Sequence, residues 1–301
     1  EVSCVGRSLG DSIASKLIAK HPELSSSHVS EIGAIVSAAC LAHDLGNPPF
    51  GHSGEKAIST YFSEGKGMIL QNQLSSMEWE DLTHFEGNAN AFRLLTHQFR
   101  GRRKGGFVMT YSTLASIVKY PFPSILAGKK PKFGFFTTEI EDYIKIAEEL
   151  GIKRLSLEGE PIKYARHPLV FLVEAADDIC YQMMDIEDAY KLKLLTPRET
   201  KELYQLFLDE KKKERVEEVF RLVTDENEQI AYLRATVIGI LVKECTQVFM
   251  DNEEDILNGT FEGALIKHIS EPLSNAYKQC SQIAVEKIYR KMKVGEILLK
   301  K

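Results

Sequence analysis

The sequence has few cysteines, and no two of them lie close together. Its five cysteines are widely spaced and form no Cys-x-x-Cys pair. An odd number of isolated cysteines does not fit a disulfide framework or a zinc ribbon, and it is typical of reduced thiols in the cytoplasm. We therefore expect a cytoplasmic protein.

Long apolar segments and an excess of positive charge are also missing. No run of about 18 uncharged apolar residues occurs, so a membrane-spanning helix is not expected. Lys and Arg number 38 against 43 Asp and Glu, which gives a net charge of -5. No overall basic surface therefore indicates a nucleic acid or an acidic membrane as partner. An anionic ligand would have to be held by a local group of cations.

The rest of the composition is that of a globular helical protein. The 301 residues are 44% hydrophobic and 27% charged, which suffices to bury a core. Apolar residues recur at spacings of three and four along most of the sequence, and this periodicity predicts amphipathic helices. The predicted helices run over residues 2–18, from 32 to His43, from Ser53 with Ile58, Tyr61 and Phe62 facing inward, and over 138–150, 169–190, 199–222 and 230–248. The segment 196–199, Thr-Pro-Arg-Glu, has the form of a capping box with proline at the first helical position.

Strand is expected only in the short segment 107–109, which follows a glycine-rich loop. No internal repeat and no low-complexity linker divides the sequence. We therefore predict an all-α fold with at most a short β-hairpin, in a single domain over residues 1–301. Within it, we expect a metal-site core in 1–60 and 161–195, a substrate-side insert in 61–160, and a C-terminal helical part in 196–301.

The segment 41–55 combines metal-ligand side chains with a stiff turn. His43 and Asp44 come at the end of a predicted helix, and a glycine and two prolines then return the chain towards His52. A neutral imidazole and a carboxylate can both bind one divalent cation. Glu55 lies one helical turn after His52, so it can accept a hydrogen bond from that ring and fix its tautomer. A lone His-Asp pair is also common as a core or capping group, which is the alternative for these residues.

A second group of polar residues lies on a predicted apolar helix. Asp177, Tyr181 and Asp185 are spaced at i, i+4 and i+8, so they lie along one stripe of that helix. The helix is apolar over much of its circumference, which predicts burial, and buried carboxylates need a cation or hydrogen-bond donors. We therefore expect a metal or ligand at this stripe. The alternative is a polar face turned to solvent.

Two further groups are weaker by themselves. The segment 84–92 places His84, Asn88 and Asn90 around a glycine, but loop residues of these types are mostly solvated or form turns. Basic residues in two loops could hold an anionic ligand, the alternative being solvated loops. These residues are Arg102, Arg103, Lys104, Lys129, Lys130 and Lys132.

Taken together, these segments resemble the deoxyguanosine triphosphate triphosphohydrolase family of the HD-domain superfamily. The matching strings, in the family's order, are HDLGNPPFGHSGE (43–55), HFEGNANAF (84–92), TYSTLASIVKYP (110–121), KFGFF (132–136) and RHPLVFLVEAADDICY (166–181). The resemblance implies an all-α HD-domain helical bundle with additional helices. It also implies metal-dependent hydrolysis of dGTP or several deoxynucleoside triphosphates to deoxynucleoside and intact triphosphate.

The resemblance also implies roles for individual residues. It implies a divalent metal ion, which would be Mg²⁺, Mn²⁺ or another transition metal, held by His43, Asp44 and Asp177. His52 and Glu55 are implied to be a catalytic acid/base pair, and His84 a second histidine beside the phosphates. The residues implied to bind substrate are Tyr181, Asp185, Asn88 and Lys132.

The sequence departs from the family pattern at two places. The family's first metal-ligand histidine precedes the part that matches Glu1, so this sequence lacks it. Asn47 stands where many relatives carry another histidine. Relatives also continue beyond Lys301. We therefore expect that the sequence is truncated at both ends.

The expected partners also follow from the resemblance, because members of the family are commonly assemblies and some are activated by nucleotides. They are a deoxynucleoside triphosphate substrate, a nucleotide activator and further copies of the chain; neither a membrane nor a nucleic acid is indicated. One alternative is an HD phosphohydrolase acting on another phosphoester, such as a nucleoside monophosphate or a guanosine alarmone. A second is a non-catalytic oligomeric sensor that binds a deoxynucleoside triphosphate without cleaving it.

Overall fold

The structure is a computed structural model that describes residues 1–101, 105–128 and 131–289. In chain order, its α-helices are α1 (Val2–Lys20), α2 (Ile32–Ala42), α3 (His52–Ser63), α4 (Ser76–Thr83), α5 (Gly87–Thr96), α6 (Tyr111–Ile117), α7 (Ile140–Glu149), α8 (Val170–Lys191), α9 (Pro197–Gln205), α10 (Glu210–Leu222), α11 (Glu226–Asp251), α12 (Glu253–Asn258) and α13 (Glu271–Ile283). Short 3₁₀ turns cover Pro22–Ser26, His28–Glu31, Lys66–Gln73, Ser124–Leu126, Thr137–Glu139 and Leu265–Lys267, and a π-helical turn covers Ala284–Tyr289.

The prediction of an all-α fold is confirmed. Within the described ranges β pairing is limited to two isolated bridges, Pro123 with Phe135 and Arg154 with Tyr164. The expectation of strand at 107–109 is wrong. Val108 there has a φ of 55°, and its N–H donates to Gly105 O at 2.9 Å, so this segment forms a turn.

Two details of the helix predictions are also wrong. The predicted helix 199–222 is two helices, α9 and α10, because Asp209 caps a new helix by accepting from the Lys212 N–H at 2.8 Å. The inward orientation of Tyr61 is wrong too, since 51% of this residue is exposed. Helix α3 packs against the short segments α4 and Lys66–Gln73, which leave this face of the helix open.

The chain divides into two compact units. The first, here called the N-terminal unit, contains residues 2–174 and 252–262. The second, the C-terminal unit, contains residue 1 and, of the described chain, residues 175–251 and 263–289. None of the described helices is long and apolar enough to cross a membrane.

In the N-terminal unit, α1 and α2 form a closely packed pair. A Cβ on Gly10 would lie 2.6 Å from the Gly33 Cα, so the two backbones touch where they cross. Leu9 and Val36 are fully buried beside this crossing. The close packing fixes α2, whose C-terminal end carries His43.

Aromatic side chains hold α5 in the same unit. The Phe135 and Tyr143 rings stack with centroids 4.6 Å apart, and Phe92 of α5 meets Tyr143 edge-on at 5.8 Å. All three rings are fully buried. Burial of this much apolar area, at about 25 cal/mol per Å², is a large stabilising contribution, and it anchors the helix that follows Gly87.

In the C-terminal unit, α8 is held by hydroxyl groups of neighbouring helices. The Tyr204 hydroxyl of α9 donates to Met183 O at 2.9 Å, and the Tyr277 hydroxyl of α13 donates to Asp178 O at 2.9 Å. Burial raises the pKa of Tyr277 well above its usual value, so the phenol stays protonated and donates. The predicted capping box at Thr196 is present at the start of α9.

Candidate functional site

Helix α2 ends at His43, as predicted. The ring Nδ1 lies 2.8 Å from Cys40 O, and a carbonyl oxygen only accepts, so Nδ1 carries the proton. In the neutral ring Nε2 is then the nitrogen with a lone pair. This nitrogen lies 3.5 Å from Oδ2 of Asp44.

The spacing of these two side chains bears on their predicted role as metal ligands. Metal–ligand bonds of about 2.0–2.2 Å put two ligand atoms of one ion roughly 3–3.5 Å apart, so the spacing between His43 and Asp44 fits. No group of three or more His, Cys, Asp or Glu side chains that could hold a metal ion occurs among the residues the structure describes. Asp177, the third predicted ligand, belongs to the C-terminal unit. Its convergence with the other two stays a prediction.

The loop after Asp44 packs directly on the start of α5. A Cβ on Gly46 would lie 2.0 Å from Gly87 O and 2.1 Å from Ala91 N, so only glycine allows this approach. The Asn90 amide donates to Gly46 O at 2.9 Å. Two segments joined by a hydrogen bond between positions 44 apart in the sequence therefore pack backbone against backbone.

Asn47 is part of the same contact. Its Nδ2 donates to Asp44 Oδ1 at 2.8 Å. On its other side, a Cβ on Gly87 would lie 2.2 Å from the Asn47 Oδ1. The amide thus lies between the Asp44 carboxylate and the start of α5, and it fixes the carboxylate orientation.

The predicted contact between His52 and Glu55 is present in the structure. His52 opens α3, and its Nδ1 lies 2.8 Å from Glu55 Oε2. The other carboxylate oxygen, Oε1, accepts from the Gly87 N–H at 2.8 Å. The imidazole is 86% exposed, whereas the carboxylate is 12% exposed. The pair therefore presents an accessible ring on a fixed acceptor.

The charge of Glu55 is stabilised by its neighbours. Burial by itself would raise the pKa of this carboxyl, but the hydrogen bond from His52, the Gly87 N–H and the Lys132 ammonium together hold the pKa below its usual range. Glu55 is therefore ionised at neutral pH. An ionised carboxylate only accepts, so it favours the His52 tautomer that carries its proton on Nδ1.

Glu86 completes this site, and the sequence analysis did not select it. It is 1% exposed and forms an ion pair with Lys132, whose Nζ also lies 4.0 Å from Glu55 Oε2. It also accepts from the Asn88 N–H at 2.7 Å and from Asn88 Nδ2 at 2.9 Å. The available signal was a carboxylate directly before a glycine and two asparagines, a pattern of residues that cap helices.

The other predicted site residues of the N-terminal unit have local partners. His84 follows α4, and its Nδ1 lies 2.8 Å from Glu80 Oε2. Asn88 is bound to Glu86, as described above. Among the basic candidates for an anionic ligand, Arg102, Arg103, Lys104, Lys129 and Lys130 lie outside the described residues.

The remaining predicted residues lie on α8 in the C-terminal unit. Asp177, Tyr181 and Asp185 follow one another at successive helical turns, as the spacing predicted. Tyr181 is 58% exposed, and the two carboxylates are half-buried. The expectation that this stripe is buried is therefore wrong: it is a partly accessible face of α8, while residues on the other side of the helix, such as Ile179 and Met183, are fully buried.

Curated proteins with similar sequences share one kind of name. A deoxyguanosinetriphosphate triphosphohydrolase-like protein of Pseudomonas aeruginosa is 38% identical, over 96% of this chain and 65% of its own length. A protein of the same name from Synechocystis is 39% identical, over 89% of this chain and 61% of its own length. A deoxyguanosinetriphosphate triphosphohydrolase of Yersinia enterocolitica is 30% identical, over 88% of this chain and 58% of its own length.

The chain thus spans somewhat less than two thirds of the length of these relatives. No family model matches it.

Proposed function

We propose, from the premise that this chain belongs by sequence to the deoxyguanosine triphosphate triphosphohydrolase family, that it hydrolyses deoxynucleoside triphosphates to deoxynucleoside and intact triphosphate. The observation that carries the proposal is the hydrogen bond between His52 and Glu55. The His52 ring is accessible, and the Glu55 carboxylate is ionised. An accessible imidazole on a fixed carboxylate can exchange a proton with a bound substrate.

The reaction requires the transfer of one proton. A water oxygen forms a bond to the α-phosphorus, the bond between that phosphorus and the 5′-oxygen breaks, and the proton released by the water ends on the 5′-oxygen of the deoxynucleoside. Because Nδ1 of His52 is bound to Glu55, Nε2 is the nitrogen that takes the proton from the water or gives it to the leaving oxygen. Both roles use the same orientation of the ring.

A divalent metal ion is part of the proposal. His43, Asp44 and Asp177 are the proposed ligands, and the bound ion supplies positive charge beside the phosphoryl oxygens. The contact from Nδ1 of His43 to Cys40 O supports this role, because it leaves Nε2 as the ligating nitrogen. The contact from Asn47 to Asp44 Oδ1 leaves Oδ2 as the ligating oxygen.

Substrate contacts are proposed on both units. Lys132 is proposed to meet the phosphates, with Asn88 and His84 beside it in the same unit. Tyr181 and Asp185 are proposed to meet the sugar, and the exposure of Tyr181 supports this, since a ring can pack on a sugar only where it is accessible. The family resemblance also supports a homo-oligomer with a nucleotide activator, and the isolated cysteines support a cytoplasmic location.

The test is to separate the products formed from each of the four deoxynucleoside triphosphates with Mg²⁺ or Mn²⁺. The proposal predicts deoxynucleoside and unbroken triphosphate. Release of single phosphates, or turnover only of a nucleoside monophosphate or a guanosine alarmone, would instead show another HD phosphohydrolase. Thermal stabilisation by a deoxynucleoside triphosphate without any product would show a sensor, because a ligand that binds only the native state raises its stability.

A further inference from the structure

The carboxylate of Glu86 is buried and fully engaged. Its Oε2 accepts from the Asn88 N–H, and its Oε1 accepts from Asn88 Nδ2 and pairs with Lys132. A buried carboxylate without such donors is strongly unfavourable. These contacts therefore compensate its burial and fix its orientation.

Stability alone does not explain this ion pair, in which the Glu86 side chain is buried and the Lys132 side chain is 28% exposed. The cost of desolvating two charges is comparable to their attraction, and apolar residues of similar volume are often neutral or stabilising replacements. The pair of Glu86 and Lys132 is better explained by what it positions. Its immediate neighbour is Glu55.

Lys132 lies between two carboxylates. Its ammonium is paired with Glu86, and it lies 4.0 Å from Oε2 of Glu55. That same oxygen is the one within 2.8 Å of Nδ1 of His52. The ammonium and the imidazole are therefore competitors for one oxygen atom.

We propose that Glu86 is a positioning residue that holds the Lys132 ammonium away from Glu55 and so keeps Oε2 of Glu55 for the His52 imidazole. The expected change in kcat rests on the proposed function, whereas the expected change in the His52 tautomer does not. When a neutral glutamine replaces Glu86, the closest remaining carboxylate for the Lys132 ammonium is that of Glu55. If the Lys132 ammonium binds Oε2 of Glu55, this oxygen becomes a weaker acceptor for His52, and the Nδ1–H tautomer of His52 is less favoured.

The experiment compares Glu86→Gln, Lys132→Met and the double variant with the wild-type protein. The readout is the tautomer of neutral His52, taken from the ring ¹⁵N and ¹³C chemical shifts of histidine-labelled protein. His52→Gln identifies the signal among the eight histidines. A matched control is Glu139→Gln, because Glu139 is also a buried carboxylate and pairs with Arg93 at 2.8 Å.

The proposal predicts that Glu86→Gln lowers the Nδ1–H fraction of His52 and lowers kcat by about tenfold. This is less than the roughly 10²–10⁴-fold that acid/base residues contribute, because the His52 ring itself is retained. Lys132→Met and the double variant keep the wild-type tautomer, because the competitor is gone. Both raise KM, since Lys132 is the proposed phosphate contact. Glu139→Gln leaves the tautomer unchanged.

An equal loss of the Nδ1–H tautomer in Glu86→Gln and in the double variant would overturn the proposal, because Glu86 would then act independently of Lys132. If Glu86→Gln does not fold, Lys132→Met and the double variant carry the test, and a different tautomer in these two would overturn it. If the wild-type protein forms no triphosphate but the tautomers change as predicted, the proposed function fails and the positioning role stands.

Discussion

Replacing Glu55 by Gln tests whether the accessible imidazole depends on its buried acceptor. The carboxylate now accepts from His52 and from the Gly87 N–H, each at 2.8 Å. The amide that replaces it has one acceptor oxygen and one donor group. The NH₂ group must therefore face one of two partners. If it faces the Gly87 N–H, that hydrogen bond is lost; if it faces His52, Nδ1 can accept from it only in the tautomer that carries its proton on Nε2.

The size of the effect follows from these contacts. A hydrogen bond to a charged group is worth about 1.5–3 kcal/mol, so we expect the free energy of unfolding to fall by about that amount. If the NH₂ group faces His52, the Nδ1–H tautomer is no longer favoured. Loss of acid/base function costs roughly 10²–10⁴-fold in rate, so we expect kcat to fall at least about 10²-fold while KM changes little.

The assay is steady-state product formation from the preferred deoxynucleoside triphosphate, together with thermal unfolding by circular dichroism. The matched control is Glu202→Gln, which removes an exposed partner of Arg198 at 2.8 Å and should leave kcat and unfolding almost unchanged. A folded Glu55→Gln protein with kcat within about threefold of wild type would refute the role of the pair.

The pH dependence of this contribution has a defined sign. The folded-state pKa of Glu55 lies below its reference value of 4.5. Its contribution to stability is therefore fully present above that value and is lost as the pH falls through the lower, folded-state pKa. Glu55→Gln should remove this part of the acid sensitivity and lower the free energy of unfolding by the same amount at every pH well above 4.5.

Three further predictions concern other parts of the site and fold. His52→Ala should keep the metal and lose about 10²-fold or more in turnover, whereas Asp177→Asn should lose both the metal and turnover. Elemental analysis beside the activity assay distinguishes the two variants. Metal loss in His52→Ala would refute the acid/base role of His52. Gly87→Ala places a Cβ 2.2 Å from the Asn47 side-chain oxygen and should lower the free energy of unfolding by about 1–3 kcal/mol. Gly239→Ala, in a helix with open space around it, should raise this free energy by about 0.5–1 kcal/mol. Equal changes in the two variants, measured by denaturant unfolding, would contradict the close packing at Gly87. Burial lowers the pKa of His167 to about 4 from 6.5, so the unfolded chain takes up a proton at a higher pH than the folded chain does. The free energy of unfolding should therefore fall as the pH drops from 6.5 towards 4. Denaturant titrations at several pH values measure this slope, and His167→Gln should reduce it.

Local patterns in the sequence predict most of the helices and one contact of the site. The spacing of His52 and Glu55 was sufficient to predict their hydrogen bond, because both lie on one turn of one helix. The start of α9 at Thr196 was predicted for the same reason, since a capping box is contained in four residues.

Contacts between distant segments could not be predicted in this way. Glu86 is separated from Lys132 by 46 positions, and no periodicity connects them. The break between α9 and α10 was missed because charged residues fit a helix on either side of Asp209. Tyr61 was placed inward because the apolar pattern does not reveal that α3 has only short neighbours on one side. The convergence of Asp177 with His43 and Asp44 stays a prediction.

The touching glycines at positions 46 and 87 have a consequence for protein engineering. Neither backbone segment tolerates a bulkier residue at this junction unless the other moves, so the two cannot be varied independently. Chimeras assembled from relatives should therefore inherit both segments from the same parent, and mutant libraries that randomise only one of them should yield mainly destabilised proteins.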